Sequence, residues 1–191
     1  MISATCILKN EEIDIPKWLY MLVNNVSEII TVIDSSTTDK TVSIVEEFIH
    51  NYGPKIKLYH FDWCDNFATA FNFCFSKCTM QWILKIAPDT VILPNDFEKL
   101  RQLARSSPDD VGVYIVWLKN YFPAPGVNTT NLLRKFSFIR NLPFVRYDEQ
   151  WNIHERFTDA EPFQFFEKHG LKILDSEIVI RHYNDEGYSR E

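Results

Sequence analysis

Two hydrophobic periods alternate along the first half of the chain. Ile2 to Leu8 is a short, apolar, β-prone run that stops at Lys9, Asn10, Glu11 and Glu12, as a buried strand does where it emerges at a sheet edge. Pro16 suits the first turn of a helix that carries Trp18, Leu19, Leu22 and Val23 on one face. Glu28 to Ile33 is a second β-branched run, ending at Asp34, Ser35, Ser36, Thr37 and Thr38. Asp39 is placed to cap the next helix, whose Val42, Val45, Phe48 and Ile49 share a face. Lys55 to Phe61 alternates as a third strand, Phe67 to Lys77 reads as an aromatic-rich helix, and Trp82 to Ile86 as a fourth strand ending in Ala87, Pro88 and Asp89. This β-α-β-α-β-α-β order predicts an α/β fold with a mostly parallel central sheet and helices on both faces.

The second half is less regular. Pro94 opens a helix through Leu100 and Leu103, Val111 to Leu118 is a strand, and Asn120 to Asn131, with Pro123, Pro125 and Gly126, reads as a loop. Leu132 to Phe157 suggests short strands and turns, Glu161 to His169 a helix, and Lys172 to Ile180 a late strand. No repeat or internal boundary divides the 191 residues, a length that suits one domain with a substantial core.

Composition narrows the chemistry. Lys and Arg total 20 against 26 Asp and Glu, a formal charge of −6, which argues against a nucleic-acid footprint built on clustered cations. The five glycines are too dispersed for a dinucleotide fingerprint or a phosphate-cradling loop, so a bound nucleotide needs another source of charge compensation. Cys6, Cys64, Cys74 and Cys78 contain no CxxC pair and read as buried thiols of a reducing, cytoplasmic compartment. No apolar run approaches the roughly 20 residues of a membrane span.

In open parallel sheets, ligands bind beyond the carboxyl ends of the strands. Four polar clusters fall at such ends: Lys9 to Glu12, Asp34 to Thr38, Cys64 to Asn66 and Ala87 to Thr90. The segments around them resemble, in order, those of family 2 glycosyltransferases of the GT-A fold. Thr5 to Glu12 is similar to the opening strand and KNE motif, and Glu28 to Thr41 to the second strand with its VVDxxSTDxT turn. Asp65 to Asn72 is similar to the DxFAxARN helix start, Trp82 to Asp89 to the WILxLDAD strand, Ile153-His154-Glu155 to the late HE motif, and Ile180 to Tyr183 to the closing HYG segment. The resemblance runs from residue 2 to residue 188. It departs at two points: the first aspartate of the family's DxD falls on Ala87, a degenerate motif, and the arginine of ARN falls on Phe71.

The resemblance implies a single GT-A, nucleotide-diphospho-sugar transferase domain over residues 1–191, the N-terminal part of a longer protein, since relatives commonly continue past this point. It implies an inverting glycosyltransferase that moves a hexosyl or deoxyhexosyl group from a UDP-sugar to a glycan or other hydroxyl acceptor. Mn²⁺ or Mg²⁺ would neutralise the diphosphate leaving group. Carried over by position, Asp89 and His182 are the metal ligands, and Lys9, Asn10, Glu11, Asp34, Asp65, Phe67 and Ala87 line the donor. Glu155 is the base for the acceptor hydroxyl, with Asp148 and Glu149 as rivals and His154 beside it to position the base or the diphosphate. Trp117, Tyr121, Phe122 and Trp151 offer stacking surface for a sugar ring, or simply core. The competing readings are a non-catalytic nucleotide-sugar or glycan-binding module, which the residue at Ala87 makes plausible, and a nucleotidyltransferase, which usually shows the Gly-rich basic loop missing here.

Overall fold

The computed structural model describes residues 1–124, 127–150, 157 and 162–183, without the side chains of residues 122–129 and 162. Glu155, His154, Trp151 and the side chain of Phe122 therefore lie outside the described residues. The elements follow as β1 (Ile2–Leu8), α1 (Ile15–Val23), β2 (Glu28–Asp34), α2 (Thr41–Tyr52), β3 (Ile56–Phe61), α3 (Phe67–Lys77), β4 (Trp82–Lys85), β5 (Thr90–Ile92), α4 (Pro94–Ser106), β6 (Val111–Ala124), β7 (Val127–Arg140), α5 (Pro162–Lys168) and β8 (Lys172–Tyr183).

Among the described residues eight strands join one sheet in the order β3-β2-β1-β4-β7-β6-β8-β5. The first four are parallel, as the alternation predicts. The rest are mixed: β7 runs antiparallel to both β4 and β6, β8 parallel to β6, and β5 antiparallel to β8. Two elements depart from the sequence expectation. Asn120 to Asn131 is the distal half of a long hairpin, with Ala124 paired to Val127. The three-residue β5 was not anticipated, being too short for a periodic signal.

Alternating side chains of the central strands fill two cores. Ile2, Ala4, Cys6, Leu8, Ile29, Ile33, Trp82 and Leu84 pack with Leu19 and Leu22 of α1, Val45 and Phe48 of α2, and Phe97 and Leu100 of α4. On the other face Ile30, Val32, Ile83, Val113 and Ile139 pack with Ala68, Cys74 and Phe75 of α3 and Phe165 and Phe166 of α5. Cys6, Cys74 and Cys78 are buried as expected, but Cys64 is exposed, and all four are free. Cys64 sits in the polar segment between β3 and α3, where no apolar layer covers it. Among the described residues no helix is long and apolar enough to cross a membrane.

One buried carboxylate belongs to the opposite end of the sheet from the strand termini that carry the polar clusters. Glu28, at the start of β2, accepts from Ser3 Oγ at 2.5 Å, from the Thr79 N–H at 2.8 Å and from its hydroxyl at 2.9 Å, and pairs with Lys57 Nζ at 2.6 Å. Burial pushes its pKa up, yet these donors together hold it below the usual glutamate value. Every partner lies on an adjoining strand or turn, so Glu28 stitches β1, β2, β3 and the α3–β4 turn together.

Candidate functional site

Strand order reverses between β1 and β4: the chain steps from β1 to β2 to β3 in one direction, then returns to lay β4 on the far side of β1. Crossovers diverge at such a point and leave a crevice beyond the strand ends. The ends of β1, β2 and β4 present three of the four polar clusters there.

On the β1–β2 side, Asp34 closes β2 and is buried. Its Oδ1 accepts from the Ser36 N–H and hydroxyl, both at 2.9 Å, and its Oδ2 lies 3.1 Å from Lys9 Nζ. The Ser36 N–H is the main cause of a pKa below the ordinary aspartate range; burial opposes it, while the Ser36 hydroxyl and Lys9 add to it. Asn10 takes a positive φ of 54°, which turns the chain so that its Oδ1 accepts from the Thr38 N–H at 2.9 Å. The Glu11 N–H donates to Thr41 Oγ1 at 2.7 Å, and the Glu12 N–H to Asp39 Oδ2 at 3.0 Å. Asp39 in turn accepts from the Thr41 N–H at 2.9 Å and its hydroxyl at 2.6 Å. It thus satisfies a free N–H at the start of α2 from one position before Lys40, the residue at the helix boundary. Lys9 to Glu11 and Asp34 therefore form one cross-braced surface at the ends of β1 and β2.

On the β4 side, the turn after the strand is closed by Thr90 Oγ1 donating to the Ala87 carbonyl at 2.6 Å. Ala87 is exposed and Asp89 half-buried. Thr90 pairs with His182 in the β5–β8 ladder, and this pairing brings together two residues 93 apart in sequence: His182 Nε2 lies 3.0 Å from Asp89 Oδ2. The other ring nitrogen, Nδ1, is 2.8 Å from Asn120 Oδ1, and Asn120 Nδ2 donates to Asn131 Oδ1 at 2.6 Å. Among the described residues no three His, Cys, Asp or Glu side chains form a preformed cage. A carboxylate and an imidazole side by side supply two ligands suited to a divalent cation and leave its remaining positions to ligand oxygens. Cys6 lies beneath this edge with its thiol pushed well up, by burial first and then by Cys74, Glu11 and Asp89, so it is inert as a nucleophile.

Residues 5–169 match the family described as Glycosyl transferase family 2. The chain belongs to that family. A TPR repeat-containing protein of Synechococcus elongatus is 28% identical over all 191 residues, which span 43% of its length. Among solved structures, TarS 1–349 of S. aureus in complex with UDP-GlcNAc aligns over 98% of this chain and 59% of its own, at TM-score 0.67 and 15% identity. A mannosyltransferase of Pyrobaculum calidifontis in complex with GDP-Man and Mn²⁺ gives TM-score 0.66 at 12% identity, over 98% of this chain and 58% of its own. GalNAc-T7 with UDP, GalNAc and Mn²⁺ gives 0.69 at 12%, over 100% and 44%. At these identities the likeness is one of fold, the GT-A glycosyltransferase fold, and the chain spans only part of each of these proteins.

Within this family 2 domain, the third polar cluster sits toward the β3 edge. Asp65, at φ 54°, accepts from Trp63 Nε1 at 2.8 Å, and Trp63 meets the exposed Phe67 ring edge-on at 4.8 Å. Asn66 caps α3 by accepting from the Thr69 N–H at 3.0 Å. Its Nδ2 reaches the Glu149 carbonyl at 2.7 Å, and six residues on, Asn72 Nδ2 donates to the Tyr147 carbonyl at 2.9 Å and to Glu149 Oε1 at 3.1 Å, while the Tyr147 N–H donates back to Asn72 Oδ1 at 2.8 Å. The segment leading toward Glu155 is thus bound to α3, with the Glu149 carboxylate engaged by Asn72. Phe71 lies under Lys85 Nζ at 4.4 Å, which also lies 4.9 Å from the Tyr147 ring. Of the aromatic residues considered for a sugar platform, Tyr121 stacks on Tyr183 at 4.8 Å and Trp117 is half-buried within β6. Sequence reasoning missed Asn120 and Asn131, since a lone asparagine in a strand has no spacing signal, and it gave no role to Asn72 although that residue ends the DxFAxARN-like segment.

Proposed function

We propose that this domain transfers a sugar, with inversion, from a UDP-sugar to a hydroxyl of a glycan or other acceptor, with Mn²⁺ or Mg²⁺ held by Asp89 and His182. The observation that supports it is the Asp89–His182 pair at 3.0 Å beside the strand-order reversal, in a family 2 chain whose fold neighbours include proteins solved with UDP-GlcNAc and with GDP-Man and Mn²⁺. An acidic protein without a phosphate loop needs such a cation to stabilise a departing diphosphate. Asp34 and Lys9 to Glu11 hold the nucleoside on the β1–β2 side, and Asp65, Phe67 and Ala87 bound the rest of the donor.

In the transfer, the acceptor oxygen attacks the anomeric carbon opposite the leaving group. Glu155 takes the hydroxyl proton, and the electron pair of the broken C–O bond leaves on the diphosphate. Asn66 and Asn72 tie residues 147–149 to α3, and the Glu149 carboxylate, already engaged by Asn72, is the weaker candidate for this role. Ala87 supports a second reading, in which the chain binds a nucleotide sugar without turnover. Calorimetric titration of UDP, GDP and UDP-sugars with and without Mn²⁺, followed by assay of released nucleoside diphosphate, tests both. Metal-dependent UDP binding with release supports transfer, binding without release with any acceptor supports the module, and no binding refutes both.

A further inference from the structure

We propose that Asn120 is the positioning residue that aims His182 at the metal, an inference that rests on the proposed function above. Among the described residues, the two His182 ring nitrogens lie within hydrogen-bond distance of Asp89, which is half-buried, and of Asn120, which is buried with 6% of its surface exposed. It lies at the β6 position paired with both His182 of β8 and Asn131 of β7. Its amide nitrogen is committed to Asn131 Oδ1, so the amide oxygen faces the ring, and an oxygen can only accept. The His182 ring accordingly presents Nδ1–H to Asn120 and turns Nε2 toward Asp89 Oδ2.

That orientation has a chemical use. A histidine ligand binds through one nitrogen, and a hydrogen bond at the other fixes the tautomer and the ring plane. Without Asn120 the ring could rotate about its Cβ–Cγ bond and offer either nitrogen. The same register stacks Tyr121 on Tyr183 at 11° between planes, one residue further along both strands. That stack holds the β6 and β8 backbones together next to the pair, so the distance from Asn120 to His182 is set by the sheet and not by flexible side chains.

The test uses the whole chain and three variants: Asn120→Leu, which removes the acceptor at similar volume; Asn120→Asp, which keeps it; and Asn131→Ala, at an exposed position, which releases the amide without touching the ring. Mn²⁺ affinity should fall about 10- to 100-fold in Asn120→Leu, less in Asn131→Ala, and recover in Asn120→Asp. The nitrogen coupling of the His182 ring to bound Mn²⁺, read by pulsed EPR, should weaken in the same order, which a general loss of stability would not produce. In the metal-free protein, an exchange-protected imidazole Nδ1–H signal should be present in the parent and absent from Asn120→Leu. Folded Asn120→Leu with parental affinity and coupling overturns the proposal, as does a parent lacking the protected Nδ1–H. A parent that shows this signal but binds no Mn²⁺ overturns the metal-site reading and supports the hold of Asn120 on the ring.

Discussion

Lys9 Nζ stands 3.1 Å from Asp34 Oδ2, across the gap between the ends of β1 and β2, with Asp34 buried and Lys9 half in solvent. The lysine screens the aspartate without burying itself, so a ligand can approach while Asp34 stays ionised. Asp34→Ala is expected to weaken uridine binding by about 1 to 3 kcal/mol through the loss of a buried acceptor. Titration of UDP into the folded variant checks it; unchanged affinity would leave Asp34 only its hydrogen bonds to Ser36 and its pairing with Lys9.

The same carboxylate predicts a pH effect. Its folded pKa lies below the ordinary value, so its contribution to stability is present above the unfolded pKa of about 3.9 and is lost as pH falls through the folded value. The gap in melting temperature between parent and Asp34→Asn should be widest near neutrality and close on the acid side. A gap that widens below pH 4 would contradict the depressed pKa.

Asp89→Asn and Ala87→Asp are expected to differ in their effect. The first should abolish Mn²⁺-dependent donor binding, since the amide oxygen is a poor substitute for a ligating carboxylate. The second adds a carboxylate at an exposed turn position whose backbone carbonyl remains bonded to Thr90, and should leave Mn²⁺ affinity intact or raise it. Calorimetry on the pair decides, and the reverse order would mean that the cation is held elsewhere.

Glu155→Gln should separate binding from turnover. A base that acts only on the acceptor proton need not touch the nucleotide, so donor and Mn²⁺ affinity should hold while transfer falls by roughly 10²-fold or more. Full activity in the variant would pass the role to Asp148 or another acid.

Gly112→Ala tests the packing of α5 on the sheet. A Cβ at Gly112 would lie 2.6 Å from Phe166 Cδ1 and 3.0 Å from Leu171 Cβ, and the Phe166 ring is fully buried. The extra methyl should cost about 1 to 3 kcal/mol in thermal or denaturant unfolding, with donor affinity little changed because the clash lies away from the strand ends.

The parts legible in the sequence are those in which each strand or helix announces itself locally. Phe67–Lys77 is helical over the span its aromatic periodicity suggests, and Pro16 and Pro94 fall in the first turns of α1 and α4. Asp34 and Asp89 could be found because strand ends in a parallel sheet share an edge. The β6–β7 hairpin was hidden by Pro123, Pro125 and Gly126, whose turn chemistry outweighed the β-prone residues on either side. Asn120 was hidden for a different reason: its importance arises from register, and the pairing of β6 with β8 is fixed by packing across the sheet and by no motif within either strand.

Asp89 and His182 meet only because β5 and β8 pair, which gives the site a place in the order of synthesis. A ribosome-bound chain that has emerged through Asp89 already holds β1 to β4, yet β5 has no described partner strand other than β8. The Asp89–His182 pair can form only after β8 has emerged and docked. Its appearance therefore marks the docking of β8, and a nascent chain halted before residue 182 would carry the β1–β2 surface without this pair.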